Sequence, residues 1–257
     1  MIELSIDNDV AVVTLNNPGA LNAVNEQALA DLAGALDEAA AQGVRALVLR
    51  GEGRAFCAGR DIAGVDPATD DALGFLSEKV TPVLKKIAEF PAPTFAVVQG
   101  ACLGVGLGLA NSADVVYVAE NAKIGSPFAN LGATLDSGGH ALFFERLGAH
   151  RAMDLIVTGE LISGAQAVSE GLFSRAIPAE ELDEFTRAQA AKAACGATLA
   201  FLASKRLIAS LRGERPGLWE SIDQENREQG GLCTTADYAE GFAAFQEKRR
   251  PVFAGTN

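Results

Sequence analysis

The stretch FAVVQGACLGVGLGLANSADVVYVAE, residues 95–120, decides the fold. Phe95 to Gln99 read as a buried strand. A glycine-rich turn follows and opens a helix running through Leu109. Asp114 to Glu120, with its valines and Tyr117, is a strand again. Strand, crossover helix and strand in that order ask for parallel pairing, because parallel neighbours need a connection of this kind.

Outward from this unit the pattern repeats. Ile2, Leu4 and Ile6 alternate with polar residues as a half-buried strand should, and Asp7-Asn8-Asp9 turns the chain into a second strand, Val10 to Leu15. Leu29, Leu32, Ala33 and Leu36 recur at helical spacing, so a helix is expected over 25–42, ended by Gly43. Arg45 to Arg50 is a short buried strand. Leu73, Leu76, Val80, Leu84 and Ile87 share one face of a helix expected over 70–90, stopped by Pro91 and Pro93. After about Ala179 the pattern is almost purely helical, with helices expected over 180–195, 199–211, 219–228 and 238–249. An α/β core with a helical appendage is the predicted architecture.

Composition removes several classes. The chain has 257 residues, 49% hydrophobic and 21% charged, so it has ample material for a core. Its formal net charge of −12 repels phosphate backbones, and aromatics make up only 6%, which disfavours base stacking. Nucleic acid is therefore not an expected partner. Cys57, Cys102, Cys195 and Cys233 show no C-x-x-C spacing, and His140 and His150 are the only histidines, so neither zinc nor a disulfide framework is expected. The N-terminus lacks the basic and apolar regions of a signal peptide. The longest apolar run, 95–110, is too short and too interrupted for a membrane span. A cytoplasmic protein without a membrane partner is the expectation.

Three loops could carry chemistry. The first is Arg54-Ala55-Phe56-Cys57-Ala58-Gly59-Arg60-Asp61-Ile62, whose small residues admit a ligand close to the backbone. Read plainly, it is a tight loop with Asp61 as a helix cap. The second is Gly100 to Gly108, between strand and helix. Its free amides suit an anion or developing oxyanion, and close helix–strand packing explains the glycines equally well. From Gly104 it fails the dinucleotide pattern at Leu109. The third runs from Gly125 to His140. Spacing alone makes Asp136 the N-cap of an apolar helix ending near Leu147-Gly148, and His140 a structural histidine.

In order and interval, these segments resemble the crotonase, or enoyl-CoA hydratase/isomerase, superfamily. The likeness spans nearly the whole chain. It includes Leu21-Asn22-Ala23, Ala58-Gly59-Arg60-Asp61-Ile62, Gly100 through Ala110, Ile162-Ser163-Gly164-Ala165-Gln166-Ala167 with Gly171-Leu172, Tyr238-Ala239-Glu240-Gly241-Phe242 and Lys248-Arg249-Arg250-Pro251-Val252-Phe253. The resemblance implies a ββα superhelix core with the acyl-CoA site, residues 1–195, and a helical oligomerisation region, residues 196–257, which builds trimers or hexamers. It also implies an acyl-CoA thioester as substrate and no separate cofactor, coenzyme A being part of that substrate.

Several residue roles are implied with it. The backbone N–H groups of Arg60 and Val105 would hold the thioester oxygen as it becomes an enolate. Asn22, Ala23, Ala58, Gly59, Asp61, Ile62 and Gly104 would line the coenzyme A site. Arg54, Arg60 and Lys248 would meet its phosphates and Phe253 its adenine, Lys248 and Phe253 coming from a neighbouring subunit. A solvated basic helix end is the plain alternative for Lys248. Two departures stand out. The family's hydratases carry two glutamates, and those positions are Gly108 and Phe128 here. Leu135-Asp136-Ser137-Gly138-Gly139 instead resembles the isomerase branch, exemplified by bacterial ring-epoxide phenylacetyl-CoA isomerases and Δ3,Δ2-enoyl-CoA isomerases. Asp136 is then the expected acid and base. The alternatives are a hydratase using another carboxylate, Glu78 or Asp71; an aspartate acting as nucleophile on an aryl-CoA; and a catalytically silent CoA-binding scaffold in which Asp136 is only a cap.

Overall fold

The computed structural model describes residues 1–256. β1 (Ile2–Asp7) and β2 (Val10–Leu15) form an antiparallel hairpin. Asn8 and Asp9 turn it with φ of 48° and 62°, a conformation these two residue types tolerate. α1 (Glu26–Ala41) starts where the Asn25 side chain accepts the Ala28 N–H at 2.9 Å, and it buries Leu29, Leu32 and Leu36. β3 (Ala46–Gly51) follows. Then come α2 (Ala72–Gly74), a π-helical stretch over Phe75–Val80, and α3 (Thr81–Ala88). β4 (Thr94–Val98), β5 (Ala101–Leu103), α4 (Val105–Asn111) and β6 (Val115–Ala119) realise the deciding unit. β7 (Lys123–Gly125), α5 (Gly139–Leu147), α6 (Ala149–Thr158), β8 (Ile162–Ser163), α7 (Gly164–Ser169) and β9 (Arg175–Ile177) complete the core. The helices α8 (Leu182–Ala194), α9 (Thr198–Gly213), α10 (Leu218–Leu232) and α11 (Ala236–Gln246) finish the chain.

The main sheet has the order β1-β2-β3-β4-β6-β9. Every pair after the hairpin is parallel, as the alternation of strands and helices requires. α1 packs on β1 and β2, and α8 lies on β3, β4 and β6. With apolar matter on it, the sheet reads as continuous hydrophobic runs such as Ala46 to Leu49, all buried. A second sheet, β5-β7-β8, stands beside the first.

Several expectations need correction. The helix expected over 70–90 is not uniform: Thr81 Oγ1 donates to the Leu76 carbonyl at 2.9 Å across the π stretch. The turn after Gln99 holds a short strand, β5, before Gly104. The helix expected to start at Asp136 starts at Gly139, because Ser137 and Gly138 take φ of 51° and 83° and swing the chain first. Asp61 caps no helix; its side chain accepts the Ala63 N–H at 3.0 Å within a loop.

The last helix ends at Gln246, earlier than expected, and Lys248 has φ of 55°. The tail beyond it is tied down. Arg45 donates to the Phe253 and Gly196 carbonyls at 3.0 and 2.6 Å, and Asp237 accepts the N–H groups of Ala254 and Gly255. No single helix among the described residues is long and apolar enough to cross a membrane.

Candidate active site

Three segments lie side by side and build a backbone frame. Leu21 to Val24 is bonded to the first loop: Ala58 N–H to Leu21 O, Val24 N–H to Gly59 O, and Asp61 N–H to Val24 O, at 2.8–3.0 Å. On its other edge the loop meets β5. Cys57 N–H donates to Ala101 O and Leu103 N–H to Cys57 O, with Cys57 paired to Cys102. Alternate N–H groups of an extended chain point to opposite sides. Since Asp61 N–H faces Val24, Arg60 N–H faces the second loop. Arg60 and Val105 each lie three residues beyond the paired cysteines. A Cβ on Gly59 would stand 3.7 Å from the Val105 nitrogen, so the two loops are in close contact here. Among the described residues neither Arg60 N–H nor Val105 N–H has an acceptor. Two free donors at one gap can hold an oxygen that gains negative charge.

The residues beneath this gap are buried. Cys57 and Cys102 are fully buried and carry free thiols. Burial pushes the Cys57 thiol up to about 12 and raises Cys102 well above the ordinary thiol range. Neither is ionised at neutral pH, and neither is a nucleophile.

Asn22 and Ala23 enter through this frame. The Asn22 side chain is buried and committed to the backbone. It accepts Asn17 N–H at 2.8 Å and donates to Glu52 O and Ala55 O at 2.9 and 2.8 Å. It shapes the loop and presents no side-chain group to a ligand. Ala23 is partly exposed, and Ile62, 56% exposed, stands at the loop's outer end.

The third loop brings Asp136 in. Its position is half-buried, and Oδ1 is buried with no hydrogen-bond partner, as is Ser137 Oγ. Burial raises the Asp136 pKa above its ordinary value, while the neighbouring Ser137 hydroxyl and the Arg60 charge oppose the rise in part. One oxygen of the carboxyl is thus buried without a protein partner, and the next residue, Ser137, takes φ of 51°. The cap role expected from spacing is absent, because Gly138 holds the N-cap position of α5.

Both glutamate positions of the hydratase pattern are filled by this loop's own neighbours. A Cβ on Gly108 would run into the Ser137 side chain, so the glycine exists to let that loop sit on α4. The Phe128 ring covers Gly104: a Cβ there would lie 2.8 Å from Cζ. No glutamate fits at position 108 without displacing Ser137. Of the other carboxylates considered, Asp71 accepts the Gly74 N–H at 2.8 Å as a helix cap, and Glu78 is exposed on the π stretch. A cavity of about 670 Å³ opens on the far side of Gly108 and Ser137, toward α9, with Phe95, Leu142 and Lys205 among its walls; Asp136, Arg60 and Val105 do not line it.

The expected phosphate ligands are dispersed. The Arg60 guanidinium is paired with Asp70 and stacked on Phe75, so it is not free for a phosphate. Arg54 and Lys248 are exposed, and neither forms an ion pair among the described residues. The Phe253 ring packs against Gly241 of α11. The signal that sequence reasoning missed was Asp70, ten residues after Arg60 and indistinguishable in the chain from other surface acids.

Known proteins share this chain's sequence pattern and fold. The family profile described as Enoyl-CoA hydratase/isomerase matches residues 5–256. A protein of Rhodobacter capsulatus named "Probable enoyl-CoA hydratase" is 36% identical over 99% of this chain and 98% of its own length. The 1,2-epoxyphenylacetyl-CoA isomerase of Escherichia coli is 34% identical over 97% of both chains. The crystal structure of an enoyl-CoA hydratase from Bacillus anthracis superposes with a TM-score of 0.90 at 28% identity, covering 99% of both chains. The frame of paired loops, the two unpartnered N–H groups and these full-length matches place the chain in the enoyl-CoA hydratase/isomerase family.

Proposed function

We propose that this member is an acyl-CoA isomerase that works through an enolate, with Asp136 as its one acid and base. One observation carries the reading. Asp136 offers a buried, unpartnered carboxylate oxygen, while Gly108 and Phe128 stand where a water-handling pair of glutamates would be needed. As carboxylate, Asp136 takes a proton from the carbon next to the thioester carbonyl. The electron pair moves into the carbonyl, and the resulting oxyanion rests on the N–H groups of Arg60 and Val105. A preorganised donor of this kind contributes ~10²–10³ in rate. Asp136 then delivers the same proton two carbons further along, and the double bond shifts toward the thioester. No water enters, and the raised pKa makes the aspartate a stronger base. The same acid would assist ring expansion of an epoxide, the type of substrate named for the Escherichia coli relative.

Oligomerisation belongs to this reading. Trp219, Phe245 and Val252 are 78%, 84% and 81% exposed on the C-terminal region, more than a lone chain would leave in water. A trimer or paired trimer covers them, and brings Lys248 of a neighbouring subunit toward the coenzyme A phosphates.

A second reading, hydration, is favoured by the name of the Rhodobacter capsulatus relative. One experiment separates the two. The purified protein and Asp136→Asn are each given a 3-enoyl-CoA and a 2-enoyl-CoA. Isomerisation by the first and its loss by at least a hundredfold in the second supports the proposal. Water addition that survives in Asp136→Asn supports a hydratase. Binding of both thioesters without turnover supports a scaffold.

A further inference from the structure

Arg60 contributes more to the first loop than a peptide N–H. Its guanidinium donates to both oxygens of Asp70, at 2.9 and 2.6 Å, and its Cζ lies 4.2 Å from the centroid of the buried Phe75 ring. Each charged side chain is only 22% exposed. A planar fork gripped at two points and stacked on a ring has little freedom left. The acids that act on Arg60 are Asp70, Asp136 and, more weakly, Glu26 at the start of α1. Glu26 is also near Lys79, at 3.8 Å. Asp71, next to Asp70, is spent capping Gly74. On the Asp136 side, Arg60 is the charged group that bears on the carboxyl, and His140 of α5 is engaged with Thr134 at 3.1 Å. The guanidinium is therefore held by one carboxylate, Asp70, while its charge is felt by another, Asp136, that has an unpartnered oxygen.

We infer that Asp70 is a positioning residue, whose two-point grip keeps the Arg60 guanidinium against Phe75 and off Asp136. The inference rests on the acid–base reading of Asp136 proposed above. Released, the guanidinium would pair with Asp136. An opposite charge at contact lowers a carboxyl pKa by about 1–3 units. A base so paired is weaker and blocked. The same grip ties the loop that carries the Arg60 N–H to the turn before α2.

The test is the pH dependence of kcat/KM for double-bond isomerisation. It is measured in the wild type, Asp70→Asn, Asp70→Ser, Asp70→Glu and the double variant Asp70→Asn/Arg60→Met, with melting temperatures alongside. In Asp70→Asn and Asp70→Ser the acidic limb moves down by about one unit or more, and kcat falls roughly tenfold or more with KM changed less. Asp70→Glu restores part of the loss. The double variant brings the limb back to the wild-type position or above it, because the cation is gone. A limb that stays put in a folded Asp70→Asn or Asp70→Ser overturns the inference, as does a double variant whose limb remains low. The two variants at Asp70 guard against one failing to fold. If Asp136→Asn keeps its isomerase activity, the acid–base reading itself falls. If Asp136→Asn is dead and the limb is unmoved by Asp70 variants, only the positioning role falls.

Discussion

Asp136 links the stability of this protein to pH, with a definite sign. Its folded pKa is raised by burial, so the folded chain holds a proton more tightly than the unfolded chain does. Stability from this group is therefore greatest below its ordinary value of 3.8 and is lost as pH rises through the raised value. Asp136→Asn carries no charge to desolvate. It is expected to melt at a higher temperature than wild type at pH 7–8, by a few degrees, with the gap closing as pH falls toward 4. Thermal melts across that range check it; a variant that is less stable at pH 7 contradicts the orphaned-oxygen picture. Sequence alone pointed to Asp136 in two directions, as cap and as catalyst. The cap reading fails because Ser137 and Gly138 enter the left-handed region before α5 begins, something side-chain type predicts poorly for serine.

At the scale of elements, the strands of the main sheet were legible because each is a compact apolar run or a clean alternation. The helices α1, α3 and α8 to α11 were legible from periodicity. The small sheet was not. β5 and β7 have three residues each and β8 has two, too few for any period to register. The π stretch was hidden for a related reason, since one extra residue per turn hardly disturbs an apolar face. Nor did the sequence reveal how the loops are held. Asn22, expected to line a ligand, is the brace between the first loop and its neighbours. Asn22→Ala removes three hydrogen bonds and leaves Ala55 O buried without this partner. A loss of about 2–4 kcal/mol is expected in denaturant unfolding, with the acyl-CoA affinity reduced as well. A near-neutral result would show that the brace is dispensable.

The whole molecule ends in surfaces that a single chain does not cover. Trp219 on α10 and Phe245 on α11 are the two most telling, each more than three-quarters exposed. Sedimentation of the wild type is expected to show a trimer or hexamer. Trp219→Glu and Phe245→Glu together are expected to shift it toward smaller species, with little change in the far-UV spectrum. An unshifted mass would put the assembly contacts elsewhere, on exposed α6 residues such as Met153 and Val157.

The paired cysteines beside the Arg60 and Val105 loops have a practical corollary. Cys57 of the first loop and Cys102 of β5 face each other fully buried, whereas Cys195 and Cys233 are exposed. An alkylating reagent can reach the inner pair only when the first loop and β5 part. The slow phase of thiol labelling thus becomes a built-in stopwatch for local breathing at that spot, and a bound thioester that clamps the two loops should lengthen it.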